Sequence, residues 1–230
     1  MKVLAIDTSN YVLGVAIVDE ETVIGEVITN LPKNHSVRVM PTIEQLMKEC
    51  GINPKELEKI VVAMGPGSYT GVRIGVTIAK TLAWSLQVPL VGVSSLEVVA
   101  ANGRYFNGFI SPLFDARRGQ VYTGLYQYEG KTLNCIEEDK IILLSDWLEE
   151  LKKKETPVLF IGNDLVIHKE QIETDSNQFA YVAPYTDWNP RPSELAELGS
   201  KKEPVDVHTF VPNYIRLAEA EANWLGKRQG

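Results

Sequence analysis

Two stretches of this chain follow the same order, and nothing else in the sequence restricts the fold as strongly. Val3-Leu4-Ala5-Ile6-Asp7-Thr8-Ser9 is an apolar run that ends in an acid and a polar turn, and a second β-branched run follows it from Gly14 to Val18. Ile110-Ser111-Pro112-Leu113-Phe114-Asp115-Ala116-Arg117 repeats that order and is followed by Val121 to Tyr126. Apolar β-branched runs bounded by turn residues read as strands. A strand that ends in Asp therefore opens each half, and duplication is the expectation.

The remaining pattern supports two units. Val23 to Ile28 completes a small antiparallel meander, and Ser36 to Cys50 has helical spacing, carries Pro41 early and stops at Gly51. Lys59 to Met64, Thr70 to Leu86 and Leu90 to Val93 read as strand, helix and strand, a parallel crossover. Ser95 to Ala101 is a further helix. Asn102-Gly103-Arg104 is the boundary, because strands restart after it, giving lobes 1–103 and 104–230. The second lobe reads as a strand near Lys140 to Leu144, a helix from Asp146 to Lys153 and a strand from Val158 to Ile161. A short helix from Glu194 to Ser200 follows, capped by Ser193. The class is α/β with two duplicated lobes, and the plan resembles the actin-like ATPase superfold, ASKHA or RNase H-like.

Composition removes several functions. The 230 residues carry a net charge of −7, so no basic surplus exists to cover a phosphate backbone or an anionic membrane. The two cysteines, Cys50 and Cys135, lie far apart without CxxC spacing and read as reduced thiols. The apolar start of the chain is too short for a signal peptide, and no run reaches membrane-span length, so the cytoplasm is the expected location.

Gly65-Pro66-Gly67-Ser68-Tyr69-Thr70-Gly71 joins a strand to a helix. Its backbone N–H groups could hold an anion; equally, it could be a tight turn capped by Ser68 or Thr70. It is no Walker A loop, because Val72-Arg73 follow Gly71. Asp7-Thr8-Ser9 and Asp115 stand where the actin-like plan holds Mg²⁺ and phosphate, although acids at strand ends also cap turns. The candidate cleft residues are thus Asp7, Thr8, Ser9, Gly65, Gly67, Ser68 and Asp115. Against a nucleotide, the chain has no Gly-Gly pair for adenine, and Gly162-Asn163-Asp164 takes that place. His35, His168 and His208 share no ligand spacing, and the residue four after His35 is Val39, so no metal is expected and each histidine reads as a surface or capping residue. No G-x-S-x-G elbow supports a hydrolase triad.

The helix from Thr70 to Leu86 bears Val72, Val76, Ala79 and Ala83 on one stripe and further apolar residues around it. A helix apolar all round is buried all round, so its second face must meet another helix or another chain. The helix after His35 is the neighbour, with Val37, Met40, Ile43 and Met47. These eight residues are the expected partner interface.

Leu4-Ala5-Ile6-Asp7-Thr8-Ser9, His35-Ser36, the run from Gly65 to Gly75, Ser94-Ser95-Leu96-Glu97, Asp115-Ala116-Arg117 and Pro212-Asn213-Tyr214-Ile215-Arg216 occur in order. Together they resemble the TsaB (YeaZ-like) family along nearly the whole chain, the glycine-rich stretch being the most specific piece. The resemblance implies a noncatalytic subunit that pairs with a TsaD homologue and a TsaE homologue to form threonylcarbamoyladenosine (t6A) beside the tRNA anticodon. A TsaC-type enzyme would supply the activated threonylcarbamoyl group. It further implies a homodimer when alone, contact with tRNA through the complex, and no tightly bound cofactor on this chain, with ATP and Mg²⁺ used by partner subunits. The alternative is an ATP-binding phosphotransferase or ATPase of the actin-like fold.

Overall fold

The computed structural model describes residues 1–31, 34–176 and 179–215. The first sheet contains β1 (Lys2–Asp7), β2 (Leu13–Asp19), β3 (Thr22–Thr29), β4 (Lys59–Ala63) and β5 (Leu90–Val93), in spatial order β3-β2-β1-β4-β5. Strand β1 pairs antiparallel with β2, opposing Ile6 to Val15, and parallel with β4, opposing Ile6 to Val62. Helix α1 (Val39–Cys50) precedes β4, α2 (Tyr69–Leu86) links β4 to β5, and α3 (Ser95–Ala101) follows.

The second half repeats every step. Strands β6 (Phe109–Asp115), β7 (Gln120–Glu129), β8 (Thr132–Leu143), β9 (Val158–Ile161) and β10 (Ala180–Val182) form a sheet of order β10-β9-β6-β7-β8, the same arrangement as the first. Helices α4 (Leu144–Lys152), α5 (Leu165–Asp175) and α6 (Pro192–Ser200) occupy the positions of α1, α2 and α3.

Alternation along β1 shows why the first sheet is covered on both faces. Leu4 and Ile6 point to the core formed with α1 and α2, whereas Val3 and Ala5 point to the core formed with Leu195 and Ala196 of α6. Helix α6 thus packs on the first sheet, and α3 packs on the second, where Leu96, Val99 and Ala100 meet Ile110, Phe114 and Ile161. A cut at residue 103 separates the two sheets, but each half lends its third helix to the other. Residues 205–210 also return to the first sheet, through Val205 and Phe210.

Some sequence expectations need correction. Ser193 does not cap α6. The N-cap is Arg191, and Ser193 donates its N–H and its hydroxyl to Glu26 Oε1 at 2.8 and 2.5 Å while Arg191 reaches Oε2 at 2.7 Å. Burial alone would raise the Glu26 carboxyl, but these donors together hold it below its ordinary value. Strand β8 is twelve residues long and starts before the expected Lys140, because as a charged edge strand it shows no apolar run. Helix α5 and strand β10 were not legible at all. Only Leu165, His168 and Ile172 of α5 turn inward, while Val166 and Ile167 are exposed, so no stripe marks it.

The helix before β4 begins at Val39, preceded by a 3-10 turn at His35–Val37, and Pro41 sits in its first turn, where a missing N–H is tolerated. In the expected interface, Ile43, Met47, Val72, Val76, Ala79 and Ala83 are all buried in the lobe's own core. Val37 and Met40 are exposed. Nor is α2 apolar all round: Thr70, Arg73, Thr77 and Thr81 form an exposed strip, flanked by half-buried Ile74 and Ile78.

Candidate functional site: an interlobe cleft and a helix groove

The glycine-rich stretch leaves β4 and starts α2, whose N-cap is Ser68, its hydroxyl accepting the Gly71 N–H at 3.3 Å. Ser68 in turn donates its own N–H to the Ser9 carbonyl at 2.7 Å. Both glycines of the Gly-Pro-Gly turn serve close backbone approach. A Cβ on Gly67 would run into the Ser9 carbonyl oxygen, and one on Gly65 would lie 2.8 Å from the Asn213 carbonyl oxygen. The bare faces of both glycines are filled by the protein's own backbone.

Asp7, Thr8 and Ser9 are completely or almost completely buried. Asp7 Oδ1 accepts the Ser9 N–H at 2.8 Å and the Ser9 hydroxyl at 2.7 Å, and Thr8 donates its hydroxyl to the Gly71 carbonyl at 2.7 Å. Burial pushes the Asp7 carboxyl upward, against the opposing pull of Ser9 and of nearby His35. His35 donates Nε2–H to the Asn10 carbonyl at 2.9 Å, and Val39, one turn on, is buried in the core.

Between the lobes lies a cleft of 660 Å³. Asn10, Tyr11, His35, Gly67, Ser68, Tyr69 and Thr70 line one wall; Phe114, Asp115, Ala116, Arg117, Tyr122 and Asp164 line the other. Asp115 takes the imidazole of His168 at 3.0 Å, and its N–H donates to Asp164 Oδ2 at 2.8 Å. His168 is buried, contrary to its expected surface role. Burial is the main cause that raises the Asp164 carboxyl, offset in part by the Asp115 N–H.

Of the seven candidate cleft residues, Gly67, Ser68 and Asp115 line the cleft, while Asp7, Thr8, Ser9 and Gly65 lie behind it. Of the two acids expected to hold Mg²⁺, Asp115 lines the cleft and Asp7 is sealed behind it. Ser9 engages only Oδ1 of Asp7; the buried Oδ2 has no hydrogen-bond partner among the described residues, and the Cβ faces of Gly67 and Gly65 are taken by the carbonyls of Ser9 and Asn213.

A second concavity of 520 Å³ runs along the outer face of α2, lined by Ser36, Tyr69, Thr70, Arg73, Ile74, Thr77 and Ile78. Val37 of the 3-10 turn, Met40 of α1 and Trp84 of α2 are large exposed apolar side chains. Of the eight residues expected at the interface, six lie in the lobe's own core, and Val37 and Met40 are exposed. Thr70, Thr77 and Thr81 are the sequence signal for the exposed side of α2.

Two duplicated lobes of this topology, with a cleft between them, define a protein of the actin-like superfold. Two solved structures from Pseudomonas aeruginosa share it: a protein described as similar to the peptidase YeaZ (TM-score 0.81, 24% identity, covering 94% of this chain and 99% of that one) and YeaZ itself (TM-score 0.77, 23% identity, covering 93% and 99%). The family model described as TsaD, tRNA N6-adenosine threonylcarbamoyltransferase, matches residues 22–224. The tRNA threonylcarbamoyladenosine biosynthesis protein TsaB of Bacillus subtilis is 60% identical over 225 residues, 98% of each chain. The chain belongs to the TsaB family, within the wider family that the TsaD model describes. Among the described residues no helix is long and apolar enough to cross a membrane.

Proposed function

We propose that this chain is a noncatalytic partner subunit in the biosynthesis of threonylcarbamoyladenosine in tRNA, docking a TsaD homologue through the groove on α2. The observation that carries the docking site is that groove: solvent-open, floored by Ile74 and Ile78, rimmed by Thr77 and Arg73, and extended by exposed Val37 and Met40. Because the TsaD family model spans residues 22–224, the partner shares these lobes, and the groove of one can face the equivalent helices of the other in a pseudo-symmetric pair. In the absence of the partner a second copy of this chain takes its place as a homodimer. A TsaE homologue joins the assembly, a TsaC-type enzyme supplies the activated threonylcarbamoyl group, and ATP and Mg²⁺ belong to these partners.

Two features support a noncatalytic role. The position four after His35 is Val39, a buried hydrocarbon where a paired histidine ligand would stand. The Gly65 and Gly67 faces are used for backbone contacts with Asn213 and Ser9 within the fold. With a net charge of −7, tRNA is engaged through the complex, in the cytoplasm, rather than by a basic face of this subunit.

Size-exclusion chromatography with light scattering, on the chain alone and mixed with a TsaD homologue, tests the reading. A homodimer that converts to a heterodimer supports it, and Thr77→Arg should block both species. A Thr77→Arg protein that still forms the heterodimer would remove the groove from the interface.

A further inference from the structure

Tyr69, the first residue of α2, lines three concavities: the interlobe cleft, the groove, and a small cavity shared with Pro66, Gly67, Tyr214 and Ile215. It is exposed, yet its ring is engaged by two neighbours. Arg73 lies with its guanidinium carbon 5.2 Å from the ring centroid and donates Nη1–H to the Tyr69 hydroxyl at 2.7 Å. The Tyr214 ring lies 5.2 Å from the Tyr69 ring, tilted by 33°.

Tyr214 is brought there by a strap that crosses the first lobe. Val205 donates its N–H to the Leu90 carbonyl at 2.8 Å, which starts the strap beside β5. Phe210 enters the core against Gly92, where a Cβ would lie 2.6 Å from the ring, and Lys80 of α2 donates to the Phe210 carbonyl at 2.7 Å. Asn213 then donates its N–H to the Met64 carbonyl at 2.7 Å, and its own carbonyl fills the bare face of Gly65. The strap is fixed at four points before it reaches Tyr69. Gly65 admits the strap; that is its use here.

We infer that Tyr214 is a positioning residue for partner docking: its ring packs on that of Tyr69, whose hydroxyl Arg73 holds, so that the end wall of the groove is ordered before a partner arrives. This inference rests on the groove being the docking site. Tyrosine offers a large rigid contact with few torsions, and a surface side chain ordered before association does not lose that freedom on binding. Loss of this packing should weaken the complex about 2- to 10-fold, the effect of one immobilised side chain.

The test uses the full chain titrated with a TsaD homologue by calorimetry, in four forms: unaltered, Tyr214→Ala, Tyr214→Phe and Thr77→Arg, each with its thermal midpoint. The expected result is loss of binding in Thr77→Arg, 2- to 10-fold weaker binding in Tyr214→Ala, and recovery in Tyr214→Phe, which keeps the ring. A purely structural role would lower the midpoint of Tyr214→Ala and leave Kd unchanged, and that outcome overturns the inference. Equal weakening in Tyr214→Phe and Tyr214→Ala overturns it too, since stacking would not be the cause. If Thr77→Arg blocks docking while Tyr214→Ala binds like the unaltered chain, the positioning role fails and the groove stands. If Thr77→Arg binds normally, the groove fails and takes the positioning role with it.

Discussion

The carbonyl oxygen of Ser9 stands where a side chain on Gly67 would begin, and it also accepts the Ser68 N–H at 2.7 Å. The glycine-rich turn is therefore folded onto the turn after β1, which ties the most conspicuous motif in the sequence to architecture. Adding a methyl group there must displace backbone rather than a flexible side chain. Gly67→Ala should destabilise the protein by about 1–3 kcal/mol, the usual cost of overpacking. Gly71→Ala, aimed at the Thr8 carbonyl, should behave alike. Urea titration followed by far-UV circular dichroism checks both; a midpoint equal to that of the unaltered chain would show that the two turns separate freely.

Adjacent residues of α2 should give opposite phenotypes. Val76 is buried in the first-lobe core and Thr77 faces the groove. Val76→Glu places an unpaired charge in that core at a cost of about 3–5 kcal/mol, so the lobe itself should fail. Thr77→Arg is a surface change worth within about 0.5 kcal/mol of stability, and only association should suffer. Thermal melts beside light scattering separate the two effects. A stable Val76→Glu protein would contradict the packing described here.

Asp139 should make stability fall as pH rises. It sits at the seam between the lobes, accepting the Tyr126 hydroxyl at 2.5 Å and the Ser94 hydroxyl. Burial is the main cause that raises its carboxyl above the ordinary aspartate value, and nearby Glu97 adds to it. A raised acid favours the folded state fully below its unfolded pKa, and that contribution is lost as pH climbs through the folded one. Asp139→Asn cannot ionise. Its thermal midpoint relative to the unaltered chain should therefore rise from about pH 4 upward and level off once Asp139 is ionised in the fold too; a difference independent of pH would show that Asp139 ionises as freely in the fold as outside it.

The sequence made the two sheets, the crossover at α2 and the candidate helices legible, because apolar periodicity is written in runs such as Val3–Ile6 and Lys59–Met64. It did not reveal which side of α2 faces out. Val72, Val76, Ala79 and Ala83 read equally well as core or as interface, and only the placement of α1 and β4 decides between them. Asp7 shows the same limit in the cleft. Strand-terminal acids mark a turn in any fold, and the hydrogen bonds from Ser9 that use this one locally cannot be seen from spacing. Helix α5 escaped because its exposed Val166 and Ile167 break the stripe.

The exchange of third helices makes the two lobes one folding unit. Leu195 and Ala196 of α6 close the face of the first sheet formed by Val3, Ala5, Ala16, Val61 and Val91, while α3, which leaves the first sheet, covers Ile110 and Phe114 of the second. Arg104 is paired with Glu194, and Asn102 donates to the carbonyls of Asp187 and Asn189 at 2.8 Å each, so the seam is tied at several points. Residues 1–103 alone would leave the α6 face of their sheet uncovered and should not fold. In the full chain Leu195→Ala should cost about 2–5 kcal/mol. Because the lobes share helices, the loss should appear equally in far-UV circular dichroism and in the fluorescence of Trp147, fully buried in the second lobe, read in a background where the other three tryptophans are replaced by Phe. If Trp147 unfolded at an unchanged midpoint while part of the dichroism was lost earlier, the second lobe would be independent of the helix it lends.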